Sequence, residues 1–220
     1  MSTPSLPPIS SLPTADEETI KSVLDTLFEP SPEIHALAIP AIQQRRRIPA
    51  NPGLTADLPA PLPPSTTIPD DTPFTSYASL IQHVGTLLHQ LAISSSSSPS
   101  SPPSPSSLTA RNKLHGILGS HPRLGAKKVD SAQSRAEQAQ LNTGGAADEA
   151  ERLAALNREY EARFPGLRYV VFVNGRSRPV VMDDMRRRID RGDIRAEEME
   201  GIQAMVDIAL DRAAKLASSS

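Results

Sequence analysis

Residues 77–91 read YASLIQHVGTLLHQL and carry the clearest helical pattern in the chain. Apolar side chains recur there every three or four residues, which places them along one face of a helix. They are Tyr77, Leu80, Ile81, Val84, Leu87, Leu88 and Leu91. Thr75 or Ser76 is expected to cap this helix. The same spacing recurs on both sides of it, so we predict an all-α protein.

Further helices are predicted before and after this one. Thr14 or Asp16 is expected to cap the first helix and Pro30 to end it, after which Ser31-Pro32-Glu33 starts a second. Later helices are predicted around residues 114–118, 146–164, 179–191 and 195–216. The apolar run Tyr169, Val170, Val171, Phe172 and Val173 has no partner strand in sight and is predicted to be a buried extended segment. We therefore expect a single helical bundle of about seven helices with one extended segment.

Proline and serine are concentrated outside these helices. Of the 22 prolines, 19 lie at or before Pro105. With the low-complexity stretches set aside, about 150 residues are available for a core, enough for a single domain. Low-complexity stretches cannot bury enough apolar surface to offset the entropy of ordering them. We predict a flexible N-terminus over 1–13, one domain over 14–216 and a tail over 217–220. Two disordered Pro/Ser-rich insertions, at about 44–72 and 94–107, are expected to interrupt the domain.

Composition argues against several classes of partner. The net charge is −2, so no overall field attracts nucleic acid. The chain has no cysteine and no histidine pattern typical of a metal site, so no metal is expected. Arginines and aspartates alternate between residues 183 and 195, which predicts a solvated, ion-paired face. No apolar run approaches the ~20 residues that span a bilayer, so no membrane partner is expected.

The chain ends give an expectation about compartment. The first residues, MSTPSLPPISSLP, lack the basic and apolar regions of a secretory signal. The last residues are Lys215-Leu216-Ala217 and three serines, which do not form a terminal Ser-Lys-Leu peroxisomal signal. We expect an intracellular protein, either cytoplasmic or peroxisomal.

The side chains best suited to catalysis are concentrated in residues 119–138, GSHPRLGAKKVDSAQSRAEQ, which include a histidine, a carboxylate, an amide and a hydroxyl. His121 precedes Pro122, which restricts it to extended backbone, and Gly125 permits a tight turn. An imidazole on such a rigid loop can act as an acid or a base at cellular pH. The alternative is an ordinary surface histidine in a Pro/Gly loop.

Ser134, Glu137 and Gln138 form a second polar group in the same stretch. On a helix, Ser134 and Glu137 are three residues apart and share a face. A carboxylate beside an amide suits the recognition of urea or lactam groups. Ser-x-x-Glu is also the pattern of a capping box, in which the two side chains only satisfy a helix start.

In their order, these motifs resemble the 2-oxo-4-hydroxy-4-carboxy-5-ureidoimidazoline (OHCU) decarboxylase family. Near the N-terminus, Leu27-Phe28-Glu29-x-Ser31-Pro32 also looks like family sequence, and Arg188 sits where the family has an arginine. The motifs that carry the resemblance are His121-Pro122-Arg123-Leu124-Gly125, Ser134-x-x-Glu137-Gln138, Leu156-Asn157-x-x-Tyr160, Tyr169–Val173 and Ile208-Ala209-Leu210-x-Arg212.

The resemblance implies an all-helical enzyme that converts the ureidoimidazoline to (S)-allantoin in urate catabolism without a cofactor. It implies a homodimer, with His121 as the catalytic histidine and Glu137 as its partner. It also implies a set of substrate contacts: Pro122, Ser134, Arg135, Ala136, Glu137, Gln138 and residues 169–173. A non-enzymatic helical interaction module and an inactive family member are the alternatives.

Overall fold

The computed structural model describes residues 6–45, 74–95, 104–126, 131–142 and 147–218. Over these residues it contains one 3₁₀ helix, Ile9–Thr14, eight α-helices and no strand, which confirms the all-α prediction. The α-helices are α1 (Glu17–Phe28), α2 (Pro32–Gln44), α3 (Tyr77–Ser95), α4 (Pro105–Leu118), α5 (Ala132–Asn142), α6 (Ala147–Arg163), α7 (Arg178–Arg191) and α8 (Ile194–Ser218).

Three of the predicted helix starts are formed by the expected side chains. Asp16 accepts a hydrogen bond from the Thr19 amide at 2.7 Å, and Ser31 caps α2 with Pro32 in its first turn. The Ser76 hydroxyl accepts from the Ser79 amide at 3.1 Å. These side chains satisfy amides that have no partner inside the helix, which is why short polar residues mark helix starts in sequence.

α8 is the central element of the bundle and packs against α1, α3 and α4. Gly85 allows the close approach of α3, because a Cβ there would lie 2.8 Å from Cγ2 of Val206. Gly201 faces Leu118 of α4, where a Cβ would lie 3.3 Å from the leucine. Small residues at both crossings therefore bring α3 and α4 onto the central helix.

A second layer consists of α6, α7 and the segment that joins them. Tyr160 packs against Phe164 and Tyr169, with ring centroids 5.0 and 5.5 Å apart. Residues 167–173 form no helix or strand, and Tyr169, Val170 and Val171 are buried. The buried extended segment is therefore present where it was predicted.

The helices run further than the sequence patterns indicated. α2 reaches Gln44 and α3 reaches Ser95. α4 begins at Pro105 because Ser104 caps it, accepting from the Ser107 amide at 3.1 Å. The predicted insertions at 44–72 and 94–107 were thus too wide at these edges, and their interiors lie outside the described residues, as do residues 1–5 and the end of 217–220. Within the N-terminus that was predicted to be flexible, residues 9–13 belong to the 3₁₀ helix and Leu12 is buried.

Two further sequence predictions concern the surface. Arg188 was predicted to lie on a solvated face, which is wrong: it is buried, with Nη1 3.1 Å from Oε1 of Glu197. The neighbouring Arg186 and Arg187 are on the surface and form ion pairs with Glu159 and Asp184. In the part of the chain that is described, no helix has the length and apolar character needed to cross a membrane.

Candidate active site

His121 lies in the loop that follows α4 and is buried, with 5% of its surface exposed. Its Nε2 atom is fully buried and has no hydrogen-bond partner among the described residues. The alternative of an ordinary surface histidine is therefore wrong. Burial lowers the pKa of His121 to about 4, aided by the charge of Arg212 and opposed by that of Glu29. The imidazole is thus neutral at cellular pH.

Side chains from three other parts of the fold hold the His121 loop. Gly125 supports its turn with a φ of +78°, which an L side chain adopts only under strain. The contacts are Gly125 N to Gln138 Oε1 (3.0 Å), Gln138 Nε2 to Arg123 O (3.2 Å), Asn157 Nδ2 to Leu124 O (3.0 Å) and Arg168 Nη1 to His121 O (3.1 Å). The loop is thus fixed from α5, α6 and the extended segment together.

The Gln138 contacts lead to a prediction. Gln138→Met keeps the length of the side chain but removes both of its bonds to the loop. We expect unfolding free energy to fall by about 1–3 kcal/mol. We also expect kcat to fall about tenfold, because a small misplacement of a catalytic group is costly. Urea unfolding and steady-state kinetics measure the two effects; unchanged kcat would show that this clamp does not position His121.

Arg212 of α8 joins two carboxylates beside this loop. Its side chain is 2% exposed, and its Nε and Nη2 lie 2.7 and 3.0 Å from the two oxygens of Glu137. Nη2 also donates to Glu29 at 2.7 Å and to the Ser134 hydroxyl at 3.0 Å. A bidentate arginine–carboxylate contact fixes both partners in orientation. Glu137 is therefore held by Arg212, and no hydrogen bond links it to His121.

Glu29 is the second buried acid of this group. It follows α1 with φ 75° and ψ 150°, a conformation that residues other than glycine rarely adopt and that costs about 1–3 kcal/mol. Its carboxylate accepts from Ser131 at 3.0 Å and from Ser134 at 2.6 Å. Burial alone would raise the pKa of Glu29, but the charge of Arg212 and the Ser134 hydrogen bond outweigh it and lower the pKa. Glu29 therefore stays ionised beside Arg212.

The cap of α5 decides between the two interpretations of Ser134. The Ser131 hydroxyl accepts from the Ser134 amide at 3.0 Å, so Ser131 caps the helix and Ser134 lies inside it. The capping-box alternative for Ser134 and Glu137 is therefore wrong. Both side chains are free to face the interior, where they meet Arg212.

Most of the predicted site residues line one small cavity of about 40 Å³. Arg135 and Ala136 do not: both are exposed on the other side of α5. Phe172 lines an adjoining cavity instead. The lining residues of the small cavity are His121, Pro122, Leu124, Ser134, Glu137, Gln138, Tyr169, Val170, Val171, Val173 and Ile208.

Sequence reasoning did not select Glu29 or Arg212 as site residues. Their only signal was that each falls in a short motif typical of the family, one at either end of the chain. The two residues are 183 positions apart, so local spacing could not bring them together. The site therefore combines a neutral imidazole and two carboxyl groups that are bound to one arginine, a set suited to moving protons on a small polar molecule.

The family comparison extends beyond this site. The family model for OHCU decarboxylase matches residues 13–214, which span all eight α-helices named above except the last four residues of α8. The chain belongs to the OHCU decarboxylase family. That family comprises carboxy-lyases that act on a small molecule in urate catabolism, so the chain is an enzyme of this class rather than a non-enzymatic helical module. No curated protein matched the chain.

The residues that carry the site lie within the matched range. Glu29, His121, Glu137 and Arg212 all fall between residues 13 and 214. Within the described residues, no group of three or more His, Cys, Asp or Glu side chains could hold a metal ion. The polar groups described at the site are the imidazole, the carboxylates, the guanidinium and the loop backbone.

Proposed function

We propose that the protein decarboxylates 2-oxo-4-hydroxy-4-carboxy-5-ureidoimidazoline to (S)-allantoin, with His121 as the group that moves protons. The observation that carries this proposal is the buried, neutral imidazole whose Nε2 has no partner among the described residues and which lines a cavity with Glu137. A buried polar atom without a hydrogen-bond partner destabilises the folded state. Its retention therefore suggests that a bound ligand supplies the partner.

The chemistry of the substrate explains how the reaction proceeds without a cofactor. Carbon dioxide leaves the ring carbon that carries the hydroxyl group, its bonding electrons form a C=C bond to the ureido-bearing carbon, and the nitrogen of the former C=N group takes up a proton from water. The hydroxyl oxygen then loses its proton and becomes a carbonyl, while the neighbouring, ureido-bearing carbon gains a proton. Because the ring itself accepts the electron pair, no separate electron sink is needed. The enzyme must manage the protons and deliver one to a single face.

We assign roles according to which groups can do this. Neutral His121 accepts the hydroxyl proton, and as an imidazolium it can return a proton to the ureido-bearing carbon. Arg212 holds Glu137 in a fixed orientation, from which the carboxylate can accept substrate N–H groups. Backbone amides of residues 170–173 are assigned as further donors to the substrate, since the carbonyls of Val170, Phe172 and Val173 already accept from Arg188 and Arg176. General acid–base help of this kind is worth roughly 10²–10⁴-fold.

The pH dependence follows from the lowered pKa of His121. The base form is the active one, so kcat/KM should fall as pH drops through about 4, where His121 gains a proton. The value of kcat/KM should not change around pH 6.5, where an ordinary histidine titrates. The unfolded chain binds this proton more readily, so stability also declines as pH falls from about 6.5 towards 4. A pH–rate profile measures this, and an acidic limb centred near 6.5 would contradict it.

The direct test of the activity uses substrate freshly made from urate by the two preceding enzymatic steps. The disappearance of its ultraviolet absorbance is followed with and without the protein. We expect the rate to increase in proportion to enzyme concentration. A rate equal to spontaneous decay would identify an inactive member of the family. The homodimer and the cytoplasmic or peroxisomal compartment remain predictions, as does the assignment of residues 14–216 to one domain.

A further inference from the structure

The cavity at His121 is too small for the whole proposed substrate. Its volume of about 40 Å³ admits only about three water molecules. The proposed substrate is a five-membered ring with a carboxylate, a hydroxyl group and a ureido arm. A molecule of this size that reaches His121 must extend beyond this cavity.

A second cavity of about 210 Å³ adjoins the first, and we call it the outer cavity. The two cavities share four wall residues, so they lie side by side. The shared residues are Glu137, Val171, Val173 and Ile208. Asn174, Asp211 and Lys215 line only the outer part.

We propose that the outer cavity binds the ureido arm of the substrate, with Asp211 and Lys215 as the residues that recognise it. This inference rests on the proposed function. His121 takes the hydroxyl proton at one ring carbon and returns a proton to the neighbouring carbon, which bears the arm. With the reacting end of the ring at His121, the arm extends across Glu137 into the outer cavity.

The polar groups of the outer cavity complement a ureido group. A ureido arm is neutral and carries N–H donors beside a carbonyl acceptor. Asp211 offers a carboxylate acceptor and Lys215 an ammonium donor, four residues apart on the same face of α8. They lie 2.5 Å apart, so their charges offset each other and match a neutral ligand. Glu137, on the shared wall, can accept the N–H nearest the ring.

The opposite wall of the outer cavity is a fixed turn. Asn174 and Gly175 both have positive φ angles, 42° and 74°, which reverse the chain after the extended segment. The Arg176 amide donates to the Val173 carbonyl at 2.9 Å, and its guanidinium donates to the Phe172 carbonyl. A wall held in this way can discriminate between ligands because it does not need to be ordered on binding.

The test compares two stable ligands that differ by the arm alone. Allantoin carries the ring with the ureido arm, and hydantoin is the same ring without it. Calorimetric affinities are measured for the wild-type chain, Asp211→Asn and Lys215→Met. Asp207→Asn is the matched control, since Asp207 is one turn earlier on α8 and lines neither cavity.

We expect Asp211→Asn and Lys215→Met to weaken allantoin binding about tenfold, as for loss of a hydrogen bond to a charged group. Hydantoin binding should change less than about twofold in both, as should both affinities in Asp207→Asn. The subsite is overturned if the wild-type chain does not prefer allantoin, or if the variants change both ligands equally. If the wild-type chain prefers allantoin over hydantoin but does not turn over the ureidoimidazoline, the proposed function is overturned and the outer cavity remains a site for ureido ligands.

Discussion

Replacing His121 with alanine is expected to lower kcat/KM by roughly 10²–10⁴-fold, the usual contribution of a general acid or base. The loss should appear mainly in kcat, because the variant still has the walls that bind the ring. The fold should survive, since the buried Nε2 has no partner among the described residues and its removal breaks no described hydrogen bond. Steady-state kinetics and thermal unfolding measure the two effects on the same preparation.

A matched histidine variant makes this result specific. His35 pairs with Asp25 on α1, away from both cavities, and His35→Ala should retain activity within about threefold. His121→Asn, which keeps a polar side chain without a titratable ring, should be as inactive as His121→Ala. A near-normal rate in either His121 variant would refute its role in proton transfer.

Replacing Arg212 with methionine is expected to destabilise the protein by about 3–5 kcal/mol, the range for removing one partner of a buried ion pair. The variant leaves the carboxylate of Glu29, which is 3% exposed, without the arginine that is its ion-pair partner among the described residues. It also frees Glu137 from the contact that orients it. Urea unfolding at pH 7 measures the loss. Arg212→Lys should recover part of the stability, since it restores the charge without the bidentate geometry.

The pH dependence distinguishes this charge effect from lost packing. Without Arg212, burial raises the pKa of Glu29, so the destabilisation by Arg212→Met should begin to shrink as pH falls through that raised pKa, above the ordinary glutamate range, and continue to shrink down to the lowered pKa of the wild type. Lys215→Met is the control on the same helix and should cost about 0–1 kcal/mol, because its ion pair with Asp211 lies at the surface. A loss that does not vary with pH would indicate that packing alone explains the effect of Arg212.

The elements that were predictable from sequence are those set by local chemistry. Asp16, Ser31 and Ser76 cap helices because short polar side chains can satisfy nearby amides, and this requires no knowledge of the rest of the fold. Residues 169–173 were predicted to be buried and extended because an apolar run without a partner strand has few other solutions. The start of α4 was missed because Ser104 and Pro105 lie within a low-complexity serine and proline tract.

The remaining features depend on contacts between distant parts of the chain. Arg188 lies in a charged stretch that is typical of a surface, yet it is buried because it forms an ion pair with Glu197 of α8. Ser134 matched a capping box until Ser131 was seen to cap α5. Glu29 and Arg212 carry no local sign of pairing, because their contact is created when α8 crosses the end of α1. The composition of the site thus depends on tertiary structure.

The stereochemistry of the product is the measurement that tests the proposed function most directly. Circular dichroism is recorded while freshly generated ureidoimidazoline decays, with the wild-type chain and without it. We expect a signal of one allantoin enantiomer to appear faster than spontaneous decay and to be absent with His121→Ala. A signal that never exceeds the racemic baseline would contradict enzymatic proton delivery at this site.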